Sequence, residues 1–381
     1  MIGYAVAVAL VALGTASAVA PFQRPHPLAK ASWRAGYLVN EAPVLPLVYV
    51  VGSSWLAVSD GVARTPVGAA LLVVAAGSAA GLGVVARRAG RARPALEAAL
   101  SGTVDPSAPR SSPARRAGRM LPRPRGVALA AGHLLPVPFR PRSVERVGDV
   151  PYGPHPRQRL DLYRRRSGAD GAPVLVYLHG GGFRSGSRRR EGRALLNRMA
   201  AAGWVCVSAG YRLAPEVTLL DQVADVARVV AWVRRDGPAY GADPTRVVLA
   251  GSSAGAALAS ALVFRPGAGP GDATGTGVDA SVSAVVALYG YYGVVDATAG
   301  RSGPSRRVPR PPFMVVHGAL DSMVPAHAAR AFVDGLRADS PEVVVHAELP
   351  GAQHTFDVLA SVRSRAVVDA VEAFATWAVD R

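Results

Sequence analysis

Two residue types are nearly absent from this chain of 381 residues. Cys206 is the single cysteine, which excludes an internal disulfide framework and a cysteine-bound zinc cluster and suits a reducing compartment. Lys30 is the single lysine, so no glycine-rich segment carries the lysine of a phosphate-binding P-loop. The sequence contains no cluster of metal-ligating residues either, and it predicts chemistry that needs neither a metal ion nor another cofactor.

Acidic residues are also scarce. The chain has 43 Lys+Arg against 26 Asp+Glu, a formal net charge of +17. Such an excess favours nucleic acid or anionic lipid as a partner. However, the general preference for Arg, Ala, Gly and Pro indicates a GC-rich coding bias, and the arginines form no nucleic-acid motif interleaved with aromatic residues. We therefore expect no nucleic-acid partner.

Charge is absent from three long segments in the first hundred residues, at 2–20, 42–59 and 66–86. Each is close to the roughly 20 residues that a helix needs to cross a bilayer core of about 30 Å. We interpret residues 1–90 as a membrane region with about three transmembrane helices. Two alternatives remain open: the first segment is a cleaved signal peptide, or all three are buried helices of a soluble domain.

The basic residues around these segments predict their orientation. Basic side chains lie in the first connection and after the third segment: Arg24, Lys30, Arg34, Arg87, Arg88, Arg91 and Arg93. The second connection has only Asp60 and Arg64. The positive-inside rule then puts the N-terminus outside and everything after residue 86 in the cytoplasm. The prediction is a multi-pass protein of the cell membrane with its C-terminal domain on the cytoplasmic side.

Residues 91–145 are rich in Pro, Arg, Ser and Gly, with PSAPRSSPARRAGRMLPRPRG at the centre. This composition is typical of a tether with little fixed structure. It predicts either contact with the headgroups of anionic membrane lipids or a solvated arm, and both interpretations stay open. The short apolar piece at 127–139 is expected to pack on the domain that follows.

From residue 146 to 381 the pattern is that of an α/β domain. Short apolar runs at 174–178, 205–210, 246–251, 282–290, 313–318 and 343–349 alternate with helical patterns at 195–203 and 221–237. This alternation predicts a mostly parallel sheet with helices on both faces. LDLYRR at 160–165 is expected to form an early antiparallel strand.

The stretch VLAGSSAGAAL (248–258) places Ser253 between an apolar run and a helix-like run, with Gly251 and Gly255 two residues away on either side. A strand, a tight G-x-S-x-G turn and a helix in this order are typical of a nucleophile elbow, which exposes a serine hydroxyl. Small residues let the strand and the helix pass closely. A buried turn of small residues is the alternative.

Three further segments fit the same chemistry. LHGGGF (178–183) follows a predicted strand and leaves backbone N–H groups free to bind an oxyanion. Asp321 follows the strand at 313–318, and His354 follows the last strand. The order Ser253, Asp321, His354 is that of one known triad arrangement, in which the carboxylate orients the imidazole and the imidazole accepts the serine proton.

From about residue 150 onward the chain resembles the hormone-sensitive-lipase-like group of α/β-hydrolase esterases and lipases, especially actinobacterial relatives with a hydrophobic N-terminal extension. The resemblance is carried by HGGGF (179–183), YRLAPE (211–216), GSSAG (251–255), HGALD (317–321) and GAQHTFD (351–357). It implies an α/β-hydrolase fold, the triad above, and an oxyanion hole formed by Gly181, Gly182 and the amide of Ala254. Two features depart from the group: Ser252 stands where many members have Asp, and the segment at 300–312 is short and basic.

The sequence thus predicts a membrane-anchored serine hydrolase that cleaves carboxylic esters through an acyl-enzyme. Its expected partners are a small-molecule ester, short- to medium-chain or lipid-derived, and membrane lipid; the oligomeric state is not predicted. An amidase or arylformamidase with the same triad is one alternative. A non-catalytic binding module on the hydrolase fold is another.

Overall fold

The computed structural model describes residues 1–103, 136–264, 279, 281–293, 295 and 310–381. An eight-stranded sheet forms its centre, in the order β1-β2-β4-β3-β5-β6-β7-β8. The strands are β1 (Val144–Pro151), β2 (Arg159–Arg165), β3 (Ala172–Leu178), β4 (Val205–Ala209), β5 (Ala242–Ser252), β6 (Ala284–Leu288), β7 (Phe313–Gly318) and β8 (Val344–Leu349). The helices are α1 (Ile2–Val19), α2 (His26–Glu41), α3 (Val44–Ser59), α4 (Pro66–Gly90), α5 (Ala92–Thr103), α6 (Arg193–Ala201), α7 (Leu219–Asp236), α8 (Ala254–Phe264), α9 (Ala326–Asp339) and α10 (Val362–Val379).

The pairing of the strands confirms the predicted α/β fold with a mostly parallel sheet. β3 to β8 pair in parallel, whereas β2 pairs antiparallel with both β1 and β4. The inner strands are nearly continuous runs of apolar residues because a parallel sheet is covered by helices on both faces. β1 was not predicted: it is an edge strand with alternating exposure, and few of its residues are apolar.

Alternate side chains of the sheet contribute to two separate cores. Val174 and Val176 of β3 pack into the core formed with α7, α8 and α9, while Leu175 and Tyr177 pack into the core formed with α6 and α10. Helix α7 begins at Leu219, two residues before the predicted start, because Thr218 and Asp221 form a capping box in which each satisfies the other's backbone N–H group. Because β3 to β8 run parallel, their carboxyl ends lie at one edge of the sheet, where the loops that follow them meet.

Among the described residues, two helices are long and apolar enough to cross a membrane: Ile2–Val19 and the continuous stretch Pro66–Gly102. Helices α2 and α3 meet at an angle of 86° and give a third candidate only if this bent pair counts as one span. The three predicted spans correspond to α1, α3 and α4. By length and composition, these helices are candidates for membrane spans.

The prediction of a tether with little fixed structure is wrong for its first residues. Residues 92–103 form α5, whose Ala92, Leu96 and Leu100 are buried in the same core as α6 and α10. Near the other end, Pro136 accepts a hydrogen bond from the backbone of Ala360 (2.8 Å), and β1 begins at Val144. The central basic stretch of the tether, at 104–135, lies outside the described residues, as does most of the basic segment predicted at 300–312.

Candidate active site

Ser253 occupies the sharp turn between β5 and α8, as the G-x-S-x-G pattern predicts. Its φ of 50° lies in the left-handed region that non-glycine residues rarely adopt. The Ser253 N–H donates to the Leu288 carbonyl of the neighbouring strand (2.9 Å), which fixes the turn against β6. The strained backbone projects the hydroxyl away from the sheet and toward the loops that follow the other strands.

The glycines beside Ser253 are required by the close approach of neighbouring backbone. A Cβ on Gly251 would lie 2.4 Å from the Gly255 carbonyl carbon, and a Cβ on Gly255 would lie 2.1 Å from the Leu178 carbonyl oxygen. Backbone atoms cannot yield at these distances as a flexible side chain can. The crowding of small residues noticed in the sequence therefore has a steric cause.

We expect Gly255→Ala to lower the free energy of unfolding by about 1–3 kcal/mol or more, because the new methyl group overlaps the end of β3. Gly335→Ala is the matched control, since its Cβ would meet nothing within 4 Å and it lies inside α9. That control should leave the thermal unfolding midpoint unchanged or raise it slightly. Equal midpoints for the two variants in thermal unfolding would contradict the steric argument.

The three residues predicted to act together lie in contact. Ser253 Oγ is 2.9 Å from His354 Nε2, and His354 Nδ1 is 2.7 Å from Asp321 Oδ2. The other oxygen of Asp321 accepts the backbone N–H groups of Met323 (2.9 Å) and Val324 (2.8 Å). These bonds hold the buried carboxylate in place, so that it can fix the tautomer and orientation of the imidazole.

Two aromatic residues that sequence reasoning did not single out for this role support His354. The edge of the Tyr289 ring packs on its imidazole, with 4.6 Å between ring centroids. From α2, Trp33 Nε1 donates to the His354 carbonyl (3.1 Å) and lies 3.3 Å from Thr355 Oγ1. The connection between the first two apolar segments is therefore a helix that lies beside the candidate site.

The glycine loop after β3 is held in a conformation that suits an oxyanion hole. Gly181 (φ 115°) and Gly182 (φ 60°) have left-handed backbone, and a Cβ on Gly181 would lie 2.2 Å from the Ser185 carbonyl oxygen. Within the described ranges, the amides of Gly181 and Gly182 donate to no protein acceptor. Ala254 is the first residue of α8, where an N–H has no partner within the helix. Such amides are available to an external oxygen.

His179, just before this loop, is buried and contacts the loop backbone. Its Nδ1 lies 2.7 Å from the Gly180 carbonyl, and its ring stacks on Tyr211 at 4.4 Å. Burial lowers the pKa of His179 to about 4, so the ring is neutral near pH 7. A neutral ring places no charge beside the glycine loop near pH 7.

This arrangement can activate a hydroxyl without a metal ion. A hydroxyl bonded to an imidazole, which is bonded in turn to a buried carboxylate, can lose its proton to the imidazole as it attacks an electrophile. In the part of the chain that the structure describes, no group of three or more His, Cys, Asp or Glu side chains is placed to hold a metal ion.

Comparison with known proteins gives the same fold and a class of activity. Residues 175–356 match a family described as "alpha/beta hydrolase fold". The probable carboxylic ester hydrolase LipM of Mycobacterium tuberculosis is 34% identical, over 98% of this chain and 92% of LipM. Esterase LipQ of the same organism is 36% identical, over 71% of this chain and 68% of its own length.

A solved structure supports the fold alone. An inhibited esterase B from Lactobacillus rhamnosis superposes with a TM-score of 0.51 at 22% identity, covering 63% of this chain and 88% of that one. The match to LipM extends over nearly the whole of both chains, including the N-terminal helices. The chain therefore belongs to the α/β-hydrolase family, in the hormone-sensitive-lipase-like group, and is a carboxylesterase-type hydrolase.

Proposed function

We propose that this protein is a membrane-anchored serine hydrolase that cleaves carboxylic esters with Ser253, His354 and Asp321 as its triad. The observation that carries the proposal is the continuous hydrogen-bonded line from Ser253 Oγ through both ring nitrogens of His354 to Asp321. The activity named for LipM and LipQ supports the bond type.

The reaction follows from this geometry. As Ser253 Oγ attacks the ester carbonyl carbon, His354 Nε2 accepts its proton, and the carbonyl oxygen becomes an oxyanion bound by the amides of Gly181, Gly182 and Ala254. Collapse of this intermediate breaks the C–O bond, and His354 returns the proton to the departing alkoxide. The acyl-enzyme is then hydrolysed by a water molecule that His354 deprotonates in the same way.

The membrane part of the proposal rests on the apolar helices. α1 and α4 have the length and composition of membrane spans, and their outward residues include Leu10 (65% exposed) and Val73 (73% exposed). Helix α2 packs against the hydrolase domain, which supports a common side of the membrane for the first connection and the catalytic domain. The arginine distribution predicts that this side is the cytoplasm.

The substrate follows from both parts of the proposal. We infer a short- to medium-chain ester or a lipid-derived ester, because a catalytic domain held at a membrane meets such molecules. An amide substrate is compatible with the same triad, so the bond type needs a direct test.

The decisive experiment uses the full-length protein in detergent, with p-nitrophenyl butyrate and the matched p-nitroanilide. We expect hydrolysis of the ester to be faster by more than about tenfold in kcat/KM, together with labelling of Ser253 by a fluorophosphonate. Faster anilide hydrolysis would assign the protein as an amidase. Absence of both hydrolysis and labelling would favour a binding module.

A membrane-impermeant fluorophosphonate tests the topology in the same system. We expect labelling in lysed cells and none in intact cells, because the catalytic domain is proposed to face the cytoplasm. Equal labelling in both would place the domain outside.

A further inference from the structure

Behind the triad runs a line of polar side chains that the reaction scheme does not use; four of them are buried, and Glu191 at the end of the line is half-buried. Ser252 Oγ lies 3.0 Å from Glu191 Oε2 and 3.0 Å from the Tyr177 hydroxyl. The Tyr177 hydroxyl is also 3.1 Å from Asp357 Oδ2, and Tyr289 donates to the other oxygen of Asp357. We call Glu191, Ser252, Tyr177, Asp357 and Tyr289 the buried chain.

The buried chain joins the three segments that carry the parts of the site. Asp357 lies three residues after His354, and Ser252 directly precedes the candidate nucleophile. At the other end, Glu191 Oε2 accepts the backbone N–H of Gly180 (2.6 Å), at the start of the glycine loop. One carboxylate oxygen of Glu191 therefore bonds to both the glycine loop and the nucleophile elbow.

The glycine loop lies directly against the elbow at this point. A Cβ on Gly180 would be 3.1 Å from Ser253 Cβ, 3.2 Å from the Ser252 carbonyl and 3.0 Å from Glu191 Oε2. A shift of the Gly180 peptide would carry Gly181 and Gly182 with it. The bond from Gly180 to Glu191 thus sets where the amides of the loop stand relative to the serine hydroxyl.

A count of hydrogens gives the chain a direction. Its four oxygen–oxygen contacts need four hydrogens, but the hydroxyls of Ser252, Tyr177 and Tyr289 supply three. A fourth is available only when a carboxyl group of the buried chain is protonated. Burial is the main cause that raises the pKa of Asp357 to about 6, and the charge of Glu191 acts in the same direction. Glu191, in contrast, accepts a peptide N–H and lies two residues before α6, where the helix dipole favours a negative charge.

When Asp357 is ionised, the Tyr177 hydroxyl is shared between Ser252 and Asp357. When Asp357 is protonated, it can donate to Tyr177, and the donors then run in one direction, from Tyr177 to Ser252 and from Ser252 to Glu191, which also accepts from Gly180. The groups that face Asp357 are the carboxylates of Glu191 and Glu41 and the hydroxyls of Tyr37, Tyr177 and Tyr289. Among the described residues, no cation forms a salt bridge with Asp357.

We propose that Glu191 is a positioning residue of the oxyanion hole, which fixes the glycine loop against the nucleophile elbow through its bonds to Gly180 and Ser252. This inference rests on the proposed function, because it assigns the glycine loop to oxyanion binding. Glu191 does not touch the substrate. It acts through Gly180, and its effect belongs to the transition state, in which the oxyanion forms.

The test is Glu191→Ala, with Glu191→Gln as the conservative variant. We expect Glu191→Ala to lower kcat about tenfold or more for p-nitrophenyl butyrate, less than the about 100- to 1000-fold that loss of an oxyanion donor causes, with KM changed by less than about twofold. Glu191→Gln should restore most of kcat, because its amide oxygen can accept the same two hydrogen bonds. Glu372→Ala, which removes a partly exposed ion pair with Arg198 between α6 and α10, is the control and should keep wild-type kcat.

The outcomes separate this inference from the proposed function. If the wild-type protein neither turns over the ester nor labels at Ser253, the proposed function fails. If the wild type is active and Glu191→Ala is folded with unchanged kcat, the positioning role is wrong and the hydrolase remains. If Glu191→Ala does not fold, Glu191→Gln decides: a folded Gln variant with kcat lowered as far as the Ala variant was expected to fall would overturn the proposal.

Discussion

Replacing Ser253 by alanine is expected to lower kcat for ester substrates by about 10⁶-fold, the loss seen when a triad serine is removed from a serine hydrolase. The change deletes the one oxygen that lies 2.9 Å from His354 Nε2 and leaves the Asp321–His354 pair in place. Residual turnover should not depend on an acyl-enzyme, because no nucleophile remains to form it. Stopped assays with p-nitrophenyl butyrate and fluorophosphonate labelling measure both effects.

Ser260→Ala is the matched control for this variant. Ser260 lies on α8, seven residues further along, and its buried hydroxyl donates to the Ala256 carbonyl (2.9 Å). Both variants lose one hydroxyl from the same segment, but only Ser253 faces the imidazole. We expect Ser260→Ala to keep wild-type kcat and labelling. Ester turnover retained by Ser253→Ala would remove this serine from the mechanism, and equal losses in both variants would point to disturbed packing of α8.

The contact among Ser253, Asp321 and His354 could be predicted because each of these residues follows a recognisable strand. Ser253 follows β5, Asp321 follows β7 and His354 follows β8, and the carboxyl ends of parallel strands meet at one edge of the sheet. The apolar runs that mark these strands are local in sequence. Their shared edge follows from the fold class, so the local pattern was sufficient to bring three distant residues together.

The supporting residues could not be predicted in this way. Trp33 and His354 are 321 residues apart, and Glu191 bonds to a serine 61 residues away. No local pattern marks such pairs, because the contacts arise only when helices and loops are packed. Helix α5 did leave a signal, since its buried residues Ala92, Leu96 and Leu100 recur every four positions. The arginines and prolines around that repeat concealed it.

The attachment of α2 to the hydrolase domain depends on a buried ion pair. Glu41, the last residue of α2, bonds to Arg363 at the start of α10, and the two side chains are 1% and 0% exposed. Glu41 also accepts from the Ser361 hydroxyl (2.7 Å). Near the start of α2, the Ala29 carbonyl accepts a hydrogen bond (3.1 Å) from the hydroxyl of Ser322, which is next to Asp321. Together with Trp33, these contacts hold α2 on the loops that carry His354 and Asp321.

Glu41→Ala is therefore expected to lower the free energy of unfolding by about 3–5 kcal/mol, because it leaves the guanidinium of Arg363 buried without its counter-charge. The position of Arg363 adds to this cost: it is the second residue of α10, where the helix dipole disfavours a cation. Denaturant or thermal unfolding of the detergent-solubilised protein measures the loss. We also expect kcat to fall, because a displaced α2 withdraws Trp33 from His354.

Two variants distinguish this pair from surface charges. Glu342→Ala breaks the pair with Arg381, whose side chains are 29% and 42% exposed, and should cost about 0–1 kcal/mol. Replacing both buried partners, Glu41→Leu with Arg363→Met, should recover most of the stability lost in Glu41→Ala, since no unpaired charge then remains buried. If the double variant is as unstable as the single one, the charge of Arg363 is not the cause. If the double variant is stable but its kcat remains low, then the position of the last turn of α2, and not only its attachment to the domain, affects His354.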